Sequence, residues 1–389
     1  MKKVLGLILE LNPFHLGHKY FIDKVIEEIK PDLTVAIISS SFTMRADVSI
    51  LDKFEKTKLC LENKIDLILE LPFIYGVNSS DYFAYNSVKI LNEVKITHLA
   101  FGSEIGNIDD LQKIVKLTDS SEYNALIQSE LKKGQAYKQA ALKALMQITN
   151  DQKLITNYSL PNNTLAISYL KAINQINPKI IPYTIKRLDN QYYDTTVNQN
   201  CLASATSLRL LVSENKKIDD YIPNYQYDFV NEEKANEKLY LLFKYQLLNT
   251  NNFDSIINIS EGIEKRLLSF INEKDYKSYL KNTVTKRYSL NRIKRLILHI
   301  ILQSDKTLLE ESNDVYLRVL GLNSKGIAYI KKLNNKNIIM NTKDALDNSP
   351  LKIKAILEKE LKVTRIYELL SEKEIYKNEF ILMVKKDDN

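Results

Sequence analysis

A chain of 389 residues, 44% hydrophobic and 26% charged, has the composition of a folded soluble protein and length enough for two or three cored domains, which excludes disorder over most of it. Its formal charge of +7 is unevenly placed: residues 1–210 carry 24 Lys and Arg against 22 Asp and Glu, and residues 211–389 carry 31 against 26. That balance suits a polyanion partner without requiring one. Two cysteines, Cys60 and Cys201, exclude a disulfide framework and a cysteine metal cluster, and no apolar run reaches the ~20 residues that span a bilayer. A reducing cytoplasm is the expected setting, with no membrane partner.

Lys2-Lys3 ahead of the apolar run Val4–Leu9 imitates a short signal peptide, but Glu10 interrupts it and no cleavage signal follows. The run is expected to be the first strand of a buried parallel sheet, ended at Asn12-Pro13 because proline has no N–H for a ladder. A helix from about His18 to Lys30 follows, stopped before Pro31. Leu33–Ser40 is the second strand, and Asp52-Lys53-Phe54-Glu55 is a capping box for a helix to about Asn63. Asp66–Leu71 is a third strand ended by Pro72, Ser80 caps a helix to about Val94, and Thr97–Phe101 is a fourth strand ending at Gly102. Residues 109–148 are helical with a break at Gly134; Pro161-Asn162-Asn163-Thr164 opens a helix to about Asn174, with an asparagine or threonine as its cap; Lys179–Arg187 is a strand. Ser204-Ala205-Thr206 begins a helix carrying Arg209, and from about Ser213 the pattern is almost wholly helical. The fold class is therefore α/β, a doubly wound, Rossmann-like parallel sheet over residues 1–215, followed by a mainly α-helical domain over 216–389. The boundary is soft, since no Gly/Ser linker marks it.

Two of the four histidines, His15 and His18, flank Gly17 at the start of the first helix. Free backbone N–H groups and the helix dipole favour an anion there, and Gly17 lets a phosphate approach without a Cβ in the way. The alternative is a turn residue and a helix cap. Ser204, Thr206 and Arg209 form a second set, in which small hydroxyls at a helix start and an arginine one turn in present donors to one place; taken alone it is equally a capped helix with a solvated arginine. No His, Cys and Asp cluster has metal-ligand spacing.

The string ELNPFHLGHKY, followed in order by DLILELPF (Asp66–Phe73), DYFA (Asp81–Ala84), FGSE (Phe101–Glu104), PNN (Pro161–Asn163) and ASATSLR (Ala203–Arg209), resembles the bacterial tRNA(Met) cytidine acetate ligase family, within the HxGH nucleotidyltransferase superfamily. The resemblance implies displacement at the α-phosphate of ATP by acetate, then attack on the acetyl-adenylate by N4 of the wobble cytidine of elongator tRNA(Met). It implies that His15, His18 and Arg209 are catalytic. It further implies nucleotide contacts from Leu7, Glu10, Asn12, Pro13, Phe14, Gly17, Gly102, Asn162, Arg187, Ser204 and Thr206, with Mg²⁺ carried in on ATP. Where the family has an S-G-N-F-x-Q-R-G-E-P-like loop, this chain has Ser39–Val48 (SSSFTMRADV), which retains Phe42, Arg45 and an acid at Asp47, and Leu11 stands where a tyrosine is usual.

For the RNA, Lys281–Arg295 supplies Lys281, Lys286, Arg287, Arg292, Lys294 and Arg295 with no acid, and Tyr288 among them is suited to stack on an unpaired base. Arg45 and, on the helix after it, Lys53 and Lys56 are further candidates; the alternative for each is a solvated face. Arg318–Asn323 and Gly326 match a further family motif, read as a helix end and a turn at Gly321. Two other functions stay open: an adenylyltransferase acting on a small metabolite, and a tRNA-binding protein with a degenerate nucleotide site. No protein partner is implied.

Overall fold

Continuous apolar runs bounded by prolines and caps become the strands of one sheet. In the computed structural model, which describes residues 2–187, 203–225, 227–260, 262–310, 315–333, 335–380 and 384–386, the strands are β1 (Val4–Leu9), β2 (Leu33–Ser39), β3 (Leu67–Leu71), β4 (His98–Ser103), β5 (Ile181–Lys186), β6 (Leu317–Asn323), β7 (Ile338–Ile339) and β8 (Val384–Lys386). Cys201 lies outside the described residues. The order is β5-β4-β1-β2-β3-β6-β7, with β8 beside β6. Neighbours are parallel from β5 to β3, and β6 runs antiparallel to β3. The chain winds one way from β1 to β3 and the other way from β4 to β5, so the carboxyl ends of β1 and β4 flank the switch point where such sheets bind ligands.

Side chains alternate across the sheet, and each face has its own helices. Leu5, Leu7, Ala36, Ile38 and Ile68 pack under α1 (Leu16–Ile29) and α2 (Lys53–Glu62). Val35, Ile37, Leu67, Leu69 and Leu99 pack on the other side, where after the short α3 (Phe73–Gly76) come α4 (Ser80–Glu93), α5 (Ile108–Thr118) and, past the satellite helices α6 (Ser121–Lys132), α7 (Tyr137–Ile148) and α8 (Gln152–Ser159), α9 (Pro161–Ile176). The expected break near Gly134 falls between α6 and α7.

After α10 (Ala205–Ser213) come α11 (Glu232–Asn249), α12 (Ile263–Ser269), α13 (Tyr276–Thr283), α14 (Leu290–Leu302), α15 (Ser324–Leu333), α16 (Thr342–Asn348) and α17 (Leu351–Ser371). The structure corrects several of the expected elements. Arg318–Asn323 is not a helix end: it lies in the wholly buried strand β6, its charge neutralised by Glu70 and Glu379 and its Asn323 amide bonded to Asp66. The α4 cap is Ser79 rather than Ser80, and α9 is entered from Leu160 with no side-chain cap, because its asparagines bond elsewhere. The helical part also shares a core with the first half, where Phe42, Ala46, Val48, Phe73, Ile74 and Val77 pack with Leu239, Phe243, Ile297, Ile356 and Tyr367.

Candidate active site

The turn after β1 folds back on itself: Leu11 adopts φ 53°, the Asn12–Pro13 peptide is cis, and His15 is the N-cap of α1. The His15 Nδ1 accepts the Gly17 N–H at 3.0 Å, and the His18 Nδ1 accepts the His15 N–H at 3.3 Å, a capping box built from two imidazoles with ring centroids 3.9 Å apart. Burial, followed by the charge of Arg187, pushes His15 down to about 3; burial, then His15, then Arg187 hold His18 well below its ordinary value. Both rings are therefore neutral at pH 7. With each Nδ1 engaged as an acceptor, the proton of each must sit on Nε2. The cap and the functional reading are thus the same arrangement, in which the cap fixes the tautomer and leaves two Nε2–H donors for an anion.

Around this pair the structure brings together most of the expected residues. Asn12 is buried; its Oδ1 accepts the Ile50 N–H at 2.9 Å, its carbonyl accepts from Arg209 Nη1 at 2.9 Å, and its Nδ2 is a buried donor with no partner among the described residues. Arg209 is three-sided: Nη1 also donates to the Ala205 carbonyl at 3.3 Å, Nε meets Glu232 Oε2 at 3.2 Å, and Nη2 stands 3.7 Å from Asp47 Oδ2. Arg187 follows β5, its N–H donating to the Ser103 carbonyl at 2.9 Å, and its Cγ would lie 3.3 Å from a Cβ built on Gly102. Gly102 is thus where the Arg187 stem crosses β4. Glu10 is half-buried and accepts the Met44 N–H at 2.5 Å; desolvation raises it against that bond and the charges of Arg45 and Lys56. Arg45 lies in the field of Glu10, Asp47 and Arg187, on the side of the molecule that carries the histidine pair.

Other expectations change. Leu7 and Phe14 are core residues with no exposed surface, so neither presents its side chain to a ligand. Ser204 caps α10 by accepting the Ser207 N–H at 3.1 Å, and Thr206 sits half-buried in its first turn. Asn162 donates from both N and Nδ2 to Glu104 Oε1, at 3.1 and 2.8 Å, while Asn163 Oδ1 accepts from the N–H groups of Glu104 and Ile105. The Glu104 carboxylate therefore occupies the N-terminus of α9, a role legible only as an acid after a strand facing an asparagine pair. Lys53 and Lys56 do not reach an RNA: both are fully buried, Lys53 between Glu70 at 2.6 Å and Glu379 at 2.5 Å, Lys56 donating to the carbonyls of Ser39 and Ser40 at 3.1 Å. Tyr288 is buried in the helical core with Arg287 and Arg292 near its ring, which removes it as a stacking platform. Lys294 turns inward to Asp47, and burial, followed by Arg292, lowers Arg295 to about 10. Lys281, Lys286 and Arg287 remain on the exposed face.

Strand order, switch point and a histidine pair at a helix start define a nucleotidyltransferase, and a family profile described as HIGH Nucleotidyl Transferase matches residues 1–380. The tRNA(Met) cytidine acetate ligase of Caldicellulosiruptor bescii is 35% identical over 349 residues, 86% of each chain. Crystal structures of Thermotoga maritima TmcAL, apo and bound with alpha-thio ATP, superpose with TM-scores of 0.88 and 0.86 at 26% identity, covering 99% of this chain and 100% of that one. The chain belongs to the tRNA(Met) cytidine acetate ligase family.

Proposed function

We infer that this chain is an ATP-dependent tRNA ligase that couples acetate to a cytidine of tRNA(Met) through an acetyl-adenylate. The observation that carries the chemistry is the neutral histidine pair, whose Nε2–H donors and the unpartnered Asn12 Nδ2 suit a triphosphate better than a cation. An acetate oxygen attacks the α-phosphorus, and the bond to the bridging oxygen breaks as pyrophosphate leaves. His15 and His18 donate to the charge that develops on the phosphoryl oxygens, and Arg209 holds the departing pyrophosphate through Nη2. Arg187 adds positive charge beside both rings. The cytidine N4 then attacks the acetyl carbonyl, loses its proton and displaces AMP. Such chemistry is positioning and charge neutralisation more than covalent work by the protein.

Among the described residues no group of three or more His, Cys, Asp and Glu side chains is set to hold a metal. Mg²⁺ belongs to this reading as the companion of the triphosphate. Residues 1–215 carry the nucleotide chemistry, and residues 216–389 offer the tRNA a face containing Lys281, Lys286 and Arg287. The setting is the cytoplasm; no helix among the described residues is long and apolar enough to cross a membrane. The test is pyrophosphate release from ATP with acetate, with and without elongator tRNA(Met), followed by mass spectrometry of the tRNA nucleosides. N4-acetylcytidine is the expected product. Pyrophosphate release without acetylated RNA would replace this reading with an adenylyltransferase, and no release would replace it with a binding protein.

A further inference from the structure

The residues that restrain Arg209 come from three other parts of the chain and compete with one another. Nε is engaged by Glu232 at the start of α11, and Nη1 by two carbonyls, Asn12 and Ala205. Nη2 alone lies within hydrogen-bond distance of no described residue, since its neighbour Asp47 Oδ2 is 3.7 Å away. The reason for that gap is visible on the other side of the carboxylate: Asp47 Oδ1 is taken by the Lys294 ammonium of α14. Asp47 is fixed as well by its own backbone, whose N–H donates to Thr43 Oγ1 at 3.2 Å and whose carbonyl accepts the Thr43 N–H at 3.0 Å. Asp47, Lys294 and Arg209 have only 14% of their side-chain surface exposed, so these contacts are made largely out of water, where they count for more than a surface pair.

A carboxylate prefers two-pronged contact with a guanidinium when nothing else claims it. Freed from Lys294, Asp47 would have only a short step to close on Nη2, and Arg209 would then be gripped by two carboxylates with its donors used up and its charge cancelled. We propose that Lys294 is a positioning residue for nucleotidyl transfer: by drawing Asp47 towards α14 it keeps Nη2 of Arg209 open to the pyrophosphate end of ATP. This rests on the reading of Arg209 as the pyrophosphate ligand. It also gives the inward lysine of this basic segment a task that the exposed Lys286 and Arg287 do not share.

The experiment compares Mg·ATP affinity by titration calorimetry, and the KM for ATP against kcat, in the wild type, Lys294→Met, Asp47→Asn, the double variant and Arg209→Met. Lys294→Met is expected to weaken ATP about tenfold or more, and Asp47→Asn in that background to restore it to within about threefold of the wild type, because an amide at position 47 has no charge with which to seize Arg209. A lysine that only pins α14 to the loop predicts no such rescue. Wild-type affinity in Lys294→Met, or a double variant as weak as the single one, overturns the proposal. If Lys294→Met does not fold, Asp47→Asn alone decides: ATP bound at least as tightly as by the wild type supports the proposal, and weaker binding overturns it. Normal affinity in Arg209→Met would instead refute the assignment of Arg209 on which it rests, a distinguishable failure.

Discussion

Replacing His18 by asparagine separates the two tasks its ring performs. The His18 Nδ1 accepts the His15 N–H at 3.3 Å, and an asparagine amide oxygen falls near that atom, so the cap of α1 is retained. No atom of asparagine reaches the Nε2 position, so the donor to the phosphoryl oxygens is lost. Removing one preorganised donor aimed at developing charge costs about 2.7–4 kcal/mol, or about 10²–10³ in kcat. Glutamine makes the opposite exchange, since its amide nitrogen reaches the Nε2 position while the cap acceptor disappears, at about 1 kcal/mol of stability. The assays are pyrophosphate exchange into ATP with acetate, and urea unfolding, run side by side. His18→Asn should keep its unfolding midpoint and lose rate; His18→Gln should keep more of the rate and lose stability. An asparagine variant within about tenfold of wild-type kcat, or one whose loss of rate tracks unfolding, refutes the assignment of the Nε2–H donor.

Lys53→Met should destabilise the fold by about 3–5 kcal/mol, because it leaves the two carboxylates Glu70 and Glu379 to share the single charge of Arg318 in a fully buried cluster; weakened RNA binding with an unchanged unfolding midpoint would restore its reading as an RNA contact. Glu360 is fully buried beside Ser40 and Phe73, and burial, followed by the charge of Glu70, raises it to about 8. A carboxyl raised above its unfolded value favours the folded state at low pH and loses that contribution as pH climbs towards 8, by about 3 kcal/mol between pH 5 and 8. Glu360→Gln should flatten that limb of the stability profile, and an unaltered slope in urea titrations would show that another group sets it. Finally, Lys286→Glu with Arg287→Glu should weaken tRNA binding and lower its salt slope by about one for each phosphate left without its cation, with ATP affinity unchanged; filter binding at several salt concentrations with an unchanged slope would mark the segment as a solvated face.

The sequence by itself determined most local elements of the first half and the histidine-bearing helix start of the opening turn. Proline ends, the Asp52 and Glu55 capping box and short apolar runs are local signals, and α2 is closed by the box the residues spell, with Asp52 accepting from Phe54 and Glu55. The strand–turn–helix around His15 and His18 is equally local, which is why HxGH could be read directly. What only the tertiary structure decided is where charged side chains point. Lys53 and Lys56 look like a solvated face because a helix pattern does not reveal that β6 and the segment around Glu379 cover it. Strand β6 was hidden for the same reason, since an arginine and an asparagine in a short run argue against burial unless Glu70, Glu379 and Asp66, distant in sequence, satisfy them. Asp47 and Glu232 meet Arg209, and Lys294 meets Asp47, only because the loop after β2, the start of α11 and the body of α14 share one core. Periodicity records which face of an element is apolar; which buried charge answers which is fixed by packing across the whole chain.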